Sequence, residues 1–190
     1  PFSYEDKVVA FHEFLQSNVR GSARNINLNE KEEAEEKYFI ENNDLIVMID
    51  AYDVVLLPAA RTLGQKFQKE AQHPIVFCSE HGIYPEYPSA FVSQRGDTYD
   101  QHDDSSLGTK FLNSGCVIGR AGQVTTMVHA AHINRMVFKD DQQFYVRYHL
   151  SYPDIVGIDL SQRLFFTGQK QHHCNSYTLI DNDLTMTHFT

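Results

Sequence analysis

The run Asp44-Leu-Ile-Val-Met-Ile-Asp50 is an unbroken apolar stretch closed at each end by a carboxylate. It shows no polar alternation, and its length suits a strand better than a helix. It therefore predicts a strand buried on both faces, of the kind found centrally in a parallel sheet. Pro58 introduces a helical segment of about a dozen residues ending near Ala71, and Pro74 precedes a second apolar run, IVFCS, at 75–79. Strand, helix and strand form a βαβ unit, which points to an α/β fold.

The remaining elements follow from spacing. Val8, Phe11, Leu15 and Val19 recur at helical intervals and predict an amphipathic helix over 5–19 with an abrupt start. Asn29 caps a second predicted helix running to about Phe39, with Glu30, Glu32 and Glu33 at the favourable end of the helix dipole. Residues 80–110 carry Pro, Gly, Tyr, Ser and Asp without an apolar period and read as a long surface excursion. A strand GCVIG at 115–119 leads into a helix over about 121–137 with Val124, Met127, Val128 and Ala131 inward, and another helix opens at Asp140. Short strands are expected at IVGI, LFFT and YTLI. No repeat or Pro/Gly-rich linker divides the chain, so residues 1–190 read as one domain.

Charge narrows the choice of partner. With 16 Lys plus Arg against 25 Asp plus Glu, the net charge is −9, and no two basic residues are adjacent. Nucleic acid is excluded as a first expectation, because phosphate neutralisation supplies most of that affinity. No apolar stretch approaches the roughly 20 residues a membrane-spanning helix needs. Three cysteines, Cys78, Cys116 and Cys174, are too few for a disulfide framework, and no Asn-x-Ser/Thr acceptor occurs, so the compartment stays open.

Three segments carry candidate chemistry. In IDAYDVV, Asp50 and Asp53 follow the most apolar strand, and open α/β sheets bind ligands outside the carboxyl ends of their strands. Two carboxylates on such a turn can share a hard divalent cation, Mn²⁺ or Mg²⁺; the plainer reading is a turn cap beside a solvated acid. Asp97/Asp100 and Asp100/Asp103 share the spacing but not the location. An acidic chain without a Gly-rich phosphate loop needs a cation to bind a diphosphate. In FLNSGCVIG, Gly115 would admit a ligand close to the backbone, with Asn113 and Ser114 as hydrogen-bonding groups, although on its own the pattern is better explained by an ordinary turn. In KDDQQFYVRYH, Asp140 and Asp141 open a helix, where acids favour the dipole and can also serve as catalytic or sugar-hydroxyl ligands. His129 and His132 lie at i, i+3 on one helix and read as exposed histidines rather than zinc ligands; His172-His173-Cys174 has no more support.

Taken in order, these segments resemble the glycosyltransferase domain of the procollagen lysyl hydroxylases and related collagen glycosyltransferases. IDAYDVV is similar to the family's metal-binding Asp-x-x-Asp, VFCSEHGIYP to its Phe-Ser-Ala-Glu stretch ending in aromatic-Pro, and FLNSGCVIG to its Leu-Asn-Ser-Gly-Gly-Phe-Ile-Gly strand. KDDQQFYVRYHL resembles its poly-Asp, Asp-Gln-x-Phe-Tyr segment, and IDLSQRLFFTG the strand that follows. The resemblance covers residues 44–167. It implies a GT-A, Rossmann-like fold for nucleotide-diphospho-sugars, with a mixed, mostly parallel sheet flanked by helices and incomplete at both ends.

The same resemblance implies transfer of a hexose from a UDP-sugar to a hydroxyl acceptor, of hydroxylysine type or on another protein or glycan. Asp50 and Asp53 would hold Mn²⁺ or Mg²⁺ against the donor diphosphate. Glu80, Asn113, Asp140 and Asp141 match residues implicated in transfer, with Ser114 and Gly115 lining the substrate site. Tyr84 stands where the family has a Trp, and sugars stack their C–H faces on such rings. The family's setting implies the endoplasmic reticulum or Golgi lumen. Its downstream His-Gly-Asn-Gly segment has no counterpart here, nor does its first nucleotide-binding strand. These differences keep open a second expectation, a catalytically inactive glycosyltransferase-like interaction or structural module.

Overall fold

A computed structural model describes residues 3–21, 39–50, 54–56, 58–82, 111–138, 140–168 and 186–189. The predicted helix from Asn29, the excursion after residue 82 and the strand YTLI lie outside them, as do Asp53 and Tyr84. The chain adopts the expected α/β architecture, a mixed sheet flanked by helices. Four strands, β1 (Leu45–Ile49), β3 (Ile75–Glu80), β4 (Phe111–Arg120) and β5 (Val156–Ile158), form a sheet in the order β1-β4-β3-β5. β4 pairs antiparallel with both neighbours while β3 and β5 are parallel, so three of the four strands run the same way. A smaller sheet orders β2 (Val54–Leu56), β7 (Met186–Phe189) and β6 (Phe166–Gly168). Neither β2 nor β7 is visible in the sequence pattern.

The βαβ unit is present with a modification. A 3₁₀ turn at Pro58–Thr62 runs into helix α2 (Leu63–Glu70), which connects two strands of like direction, β1 and β3, but β4 is inserted between them. The expectation for the Asp44–Asp50 run is corrected accordingly. β1 is antiparallel to its neighbour and, among the described residues, stands at the sheet's edge with Val47 40% exposed. An apolar run reports that side chains avoid water, not how many strands lie beside it. The strand buried at every residue is β3. Its side chains alternate between two cores, Ile75 and Phe77 facing one and Val76 and Cys78 the other.

The first core is built by helices α1 (Tyr4–Asn18), α3 (Ala121–Asn134) and α4 (Asp141–Ser151). α3 buries Ala121, Val124, Met127, Val128 and Ala131, the expected inward stripe, and ends at Asn134. α1 presents Val8 and Leu15 to this core, and its start is capped. The Ser3 hydroxyl accepts from the Asp6 amide at 3.2 Å while the Asp6 carboxylate accepts from the Ser3 amide at 2.8 Å. This reciprocal box satisfies two otherwise orphaned donors. The second core gathers Leu63 and Phe67 of α2 with Leu164 and Phe165.

The turn from β4 into α3 is the tightest junction. The Arg120 amide donates to Pro74 O and the Ala121 amide to Asp44 O, so one corner ties together β4, β3 and β1. A Cβ on Gly119 would lie 2.9 Å from Val124 Cγ2 and 3.0 Å from both Ile75 Cγ1 and the Pro74 carbonyl oxygen. The backbone oxygen cannot yield without breaking that corner. Gly119→Ala is expected to cost about 1–3 kcal/mol through overpacking, read as a lowered thermal midpoint; an unchanged midpoint would refute the close packing.

Candidate functional site

The site begins with an irregularity in β4. Phe77 pairs with Val117, but the next residue, Cys78, pairs with Asn113, which leaves Ser114, Gly115 and Cys116 without partners on β3. On the other side Ile49 still pairs with Cys116, and the Asp50 amide donates to Gly115 O at 2.8 Å. The extra residues push the backbone out at the carboxyl end of β1, where Asp50 leaves the sheet. Bulges of this kind re-aim side chains and are enriched beside active sites.

Side chains take up the donors that the bulge exposes. Asn113 Oδ1 accepts from the Gly115 amide at 2.8 Å, and Gln142 Oε1 accepts from the Ser114 amide at 3.0 Å. Gln142 Nε2 in turn donates to Glu80 Oε1 at 2.7 Å. Glu80, Asn113, Asp141 and Gln142 are all buried. Burial pushes the Glu80 carboxyl above its usual range, and hydrogen bonds from Gln142 and Asn113 only partly oppose this.

One cation joins the two acidic segments. Lys7, from the first turns of α1, places its ammonium 2.6 Å from Asp50 Oδ1 and 2.7 Å from Asp141 Oδ2. The Asp141 side chain is 2% exposed and that of Asp50 34%, so a nearly dry carboxylate and a half-wet one share a single positive charge. Desolvation favours neutral Lys7, yet the two carboxylates outweigh it and hold its pKa above the ordinary value. Tyr145, fully buried beside them, is pushed upward first by burial and then by the Asp141 and Asp50 charges. Among the described residues its hydroxyl has no hydrogen-bond partner.

The structure therefore gathers Asp50, Glu80, Asn113, Ser114, Gly115 and Asp141 at one end of the sheet. Asp140 is adjacent and acts as the N-cap of α4, its Oδ1 accepting from the Gln143 amide at 2.7 Å. Its pKa is raised by burial and by Asp141, against that amide bond. Lys7, Gln142 and Tyr145 are members that sequence reasoning missed. Gln142 and Tyr145 sit in the quoted KDDQQFYVRYH motif and could have been found there; nothing near Lys7 in sequence marks it. Among the described residues no group of three or more His, Cys, Asp or Glu side chains is arranged to hold a metal ion. Asp50 contributes an oxygen donor suited to a hard cation, and its Asp-x-x-Asp partner lies outside the described residues. No described helix is long and apolar enough to cross a membrane.

The chain is a glycosyltransferase domain. The family model described as "PLOD GT domain" matches residues 4–165, and the chain belongs to that family. Among curated relatives, the rat multifunctional procollagen lysine hydroxylase and glycosyltransferase LH3 is 30% identical over 118 residues, 60% of this chain and 14% of that protein. Mouse procollagen-lysine,2-oxoglutarate 5-dioxygenase 2 is 27% identical over 149 residues, 78% of this chain and 18% of that one. The chain thus spans less than one fifth of the length of these relatives. A solved structure, mouse xyloside xylosyltransferase 1 in its apo form, aligns with 97% of this chain and 71% of its own at 15% identity and a TM-score of 0.45.

The raised Glu80 pKa has a signed consequence. Below the ordinary carboxylate value of 4.5 the group is protonated in both folded and unfolded chains and has no effect. As pH rises through that value the unfolded chain releases its proton first, and stability falls until folded Glu80 also ionises. Glu80→Gln keeps an acceptor for Gln142 and removes this penalty. Its thermal midpoint is expected to exceed that of the parent at pH 7.5 and to match it near pH 4. Equal midpoints at both pH values would show that burial of Glu80 carries no cost.

Proposed function

We propose that this domain transfers a hexose from a UDP-sugar to a hydroxyl on a protein or glycan, of hydroxylysine type, with Mn²⁺ or Mg²⁺ bound. The observation that carries the reading is the convergence of Asp50, Asp141 and Lys7 with the bulged Ser114-Gly115 backbone at the carboxyl end of β1. That is where open α/β sheets bind nucleotides. Membership of the PLOD GT domain family supports the transferase class, while donor, acceptor and metal are this proposal's own.

Asp50 and Asp53 would hold the divalent ion, which as a Lewis acid supplies charge stabilisation to the departing diphosphate. The remaining work falls to side chains. Lys7 offers a second positive charge, held in place by Asp141, to an anionic donor that an acidic protein would otherwise repel. Gly115, without a side chain, lets the donor approach the backbone, and Ser114 presents its hydroxyl there. Asp141, Asp140 and Glu80 supply carboxylates to orient sugar and acceptor hydroxyls, and Asn113 and Gln142 fix the bulge that carries them. Tyr84 offers a ring face to the sugar. The bond from the sugar's anomeric carbon to the diphosphate oxygen breaks, and the bond to the acceptor oxygen forms as its proton leaves for a site carboxylate or the departing diphosphate. The proposal puts this reaction in the lumen of the secretory pathway, as the resemblance implies.

Calorimetry of UDP binding tests the reading on the parent with Mn²⁺, the parent with EDTA, and Asp50→Ala with Mn²⁺. Affinity is expected in the first case and should fall by about 100-fold or more in the other two, the scale at which loss of a bridging charge acts. Binding that is equal in all three, or absent from all three, would overturn it.

A further inference from the structure

On the second-core side of the bulge, two thiols meet. The β3–β4 register runs Val76 to Ile118 and Phe77 to Val117, and one further step of it would set Cys78 opposite Cys116. The ladder breaks at that step, and Cys78 pairs with Asn113 instead. Both cysteines nonetheless stay in the core that also holds Val76 and Ile118, both are fully buried, and both are free thiols. The Cys78 thiol lies against the thiol and the backbone of Cys116. It also reaches Asn113, with Sγ 3.3 Å from the carbonyl oxygen and 3.2 Å from Oδ1, the atom that accepts from the Gly115 amide.

Residues directly opposite on antiparallel strands have Cα atoms about 4.5–5.5 Å apart, inside the range of about 4.4–6.8 Å that a disulfide spans. The bulge displaces β4 at this step, yet the contact between the two cysteines survives it. Burial, and then the neighbouring Cys116 thiol, pushes the Cys78 thiol well above its ordinary value, so the closed pair presents little thiolate and reacts slowly. Bond formation therefore belongs to the stage at which β3 and β4 come together, when the sulfurs are still open to a solute.

We infer that Cys78 and Cys116 are a disulfide-forming pair, which a disulfide oxidant such as oxidised glutathione converts into a staple from β3 to the neck of the β4 bulge. One cysteine thiolate attacks a sulfur of the oxidant and displaces one thiol; the second attacks the resulting mixed disulfide and displaces the other. One protein S–S bond replaces that of the oxidant, the two cysteine protons pass to the two released thiols, and both electrons end on the oxidant's sulfurs. The bond closes a loop over residues 79–115 and fixes the strand that carries Asn113, Ser114 and Gly115. This needs no assumption about donor, acceptor or metal.

Refolding in a thiol buffer tests it. The whole chain, reduced and unfolded, is diluted into a fixed ratio of reduced to oxidised glutathione, with and without denaturant; at equilibrium its free thiols are blocked and its cysteine peptides are mapped by mass. A peptide pair joined through Cys78 and Cys116 is expected. Its disulfide-to-dithiol ratio should be about 30-fold or more higher in the folded chain than in denaturant, because a bond that stabilises the fold is favoured by the fold to the same extent. The oxidised chain should also melt about 5–10 °C above the reduced one. Linkage of either cysteine to Cys174, recovery of both as free thiols or glutathione adducts, an equal ratio with and without denaturant, or a thermal midpoint that does not rise would each overturn the pair.

Discussion

The three unmatched residues of β4 impose a debt of backbone hydrogen bonds that the rest of the site is organised to settle. Inside a sheet, a strand satisfies its amides through its neighbours; at Ser114 and Gly115 the ladder to β3 fails. Leaving a buried amide unpaired costs about 1–3 kcal/mol, so side chains must replace the missing strand. Asn113 and Gln142 do so, and each has an amide with acceptor and donor ends. Each uses its oxygen on the bulge, and the Gln142 nitrogen is directed to Glu80. A distortion of one strand thereby determines where an acid from the neighbouring strand and the first turn of α4 must sit.

The second constraint is charge. α4 begins with two buried aspartates, favourable to its dipole but expensive to desolvate. Asp140 recovers the cost locally by capping the helix. Asp141 Oδ1 accepts locally from the Gln142 amide at 3.0 Å, but its Oδ2 depends on Lys7, which must come from α1 across the core. This pairing explains why the opening helix packs where it does: its apolar stripe of Val8 and Leu15 sets the depth, and Lys7 sets the rotation. Breaking a buried pair of this kind costs about 3–5 kcal/mol. A helix that looks like a simple cover for the sheet is therefore part of the site.

Local pattern carried much of this into the sequence. Helical spacing located α1, α3 and α4, and β3, β4, β5 and β6 lie at or beside the apolar runs. The Asp50, Asn113-Ser114-Gly115 and Asp140-Asp141 segments were recognisable as chemistry because polar residues abut strand ends. What pattern could not supply was order across the sheet. The insertion of β4 between β1 and β3 depends on pairing over long sequence separations, so the most apolar run was read as central when it lies at the described edge. β2 and β7 are too short for alternation to register. Lys7 falls on an amphipathic helix where a lysine ordinarily marks the solvated face, and only the packing of α1 turns it inward.

Comparison with a third buried aspartate separates structural carboxylates from those of the site. Asp159 is as buried as Asp140, and burial raises its pKa. Its two oxygens accept from the amides of Arg163, Leu164 and Phe165 at 2.7–3.1 Å, closing a turn. Backbone donors are fixed by the fold, so this carboxylate is committed and cannot exchange partners without unfolding the turn. Asp50 Oδ1, Asp141 Oδ2 and Glu80 Oε1 are met instead by Lys7 and Gln142, side chains that can rotate towards an incoming group at the cost of a rotamer change, while Asp141 Oδ1 keeps one backbone donor, the Gln142 amide. Acids in and beside the core thus differ in what holds them. Exchangeable partners at the open end of a sheet are what a binding site requires, whereas backbone partners are what a turn requires.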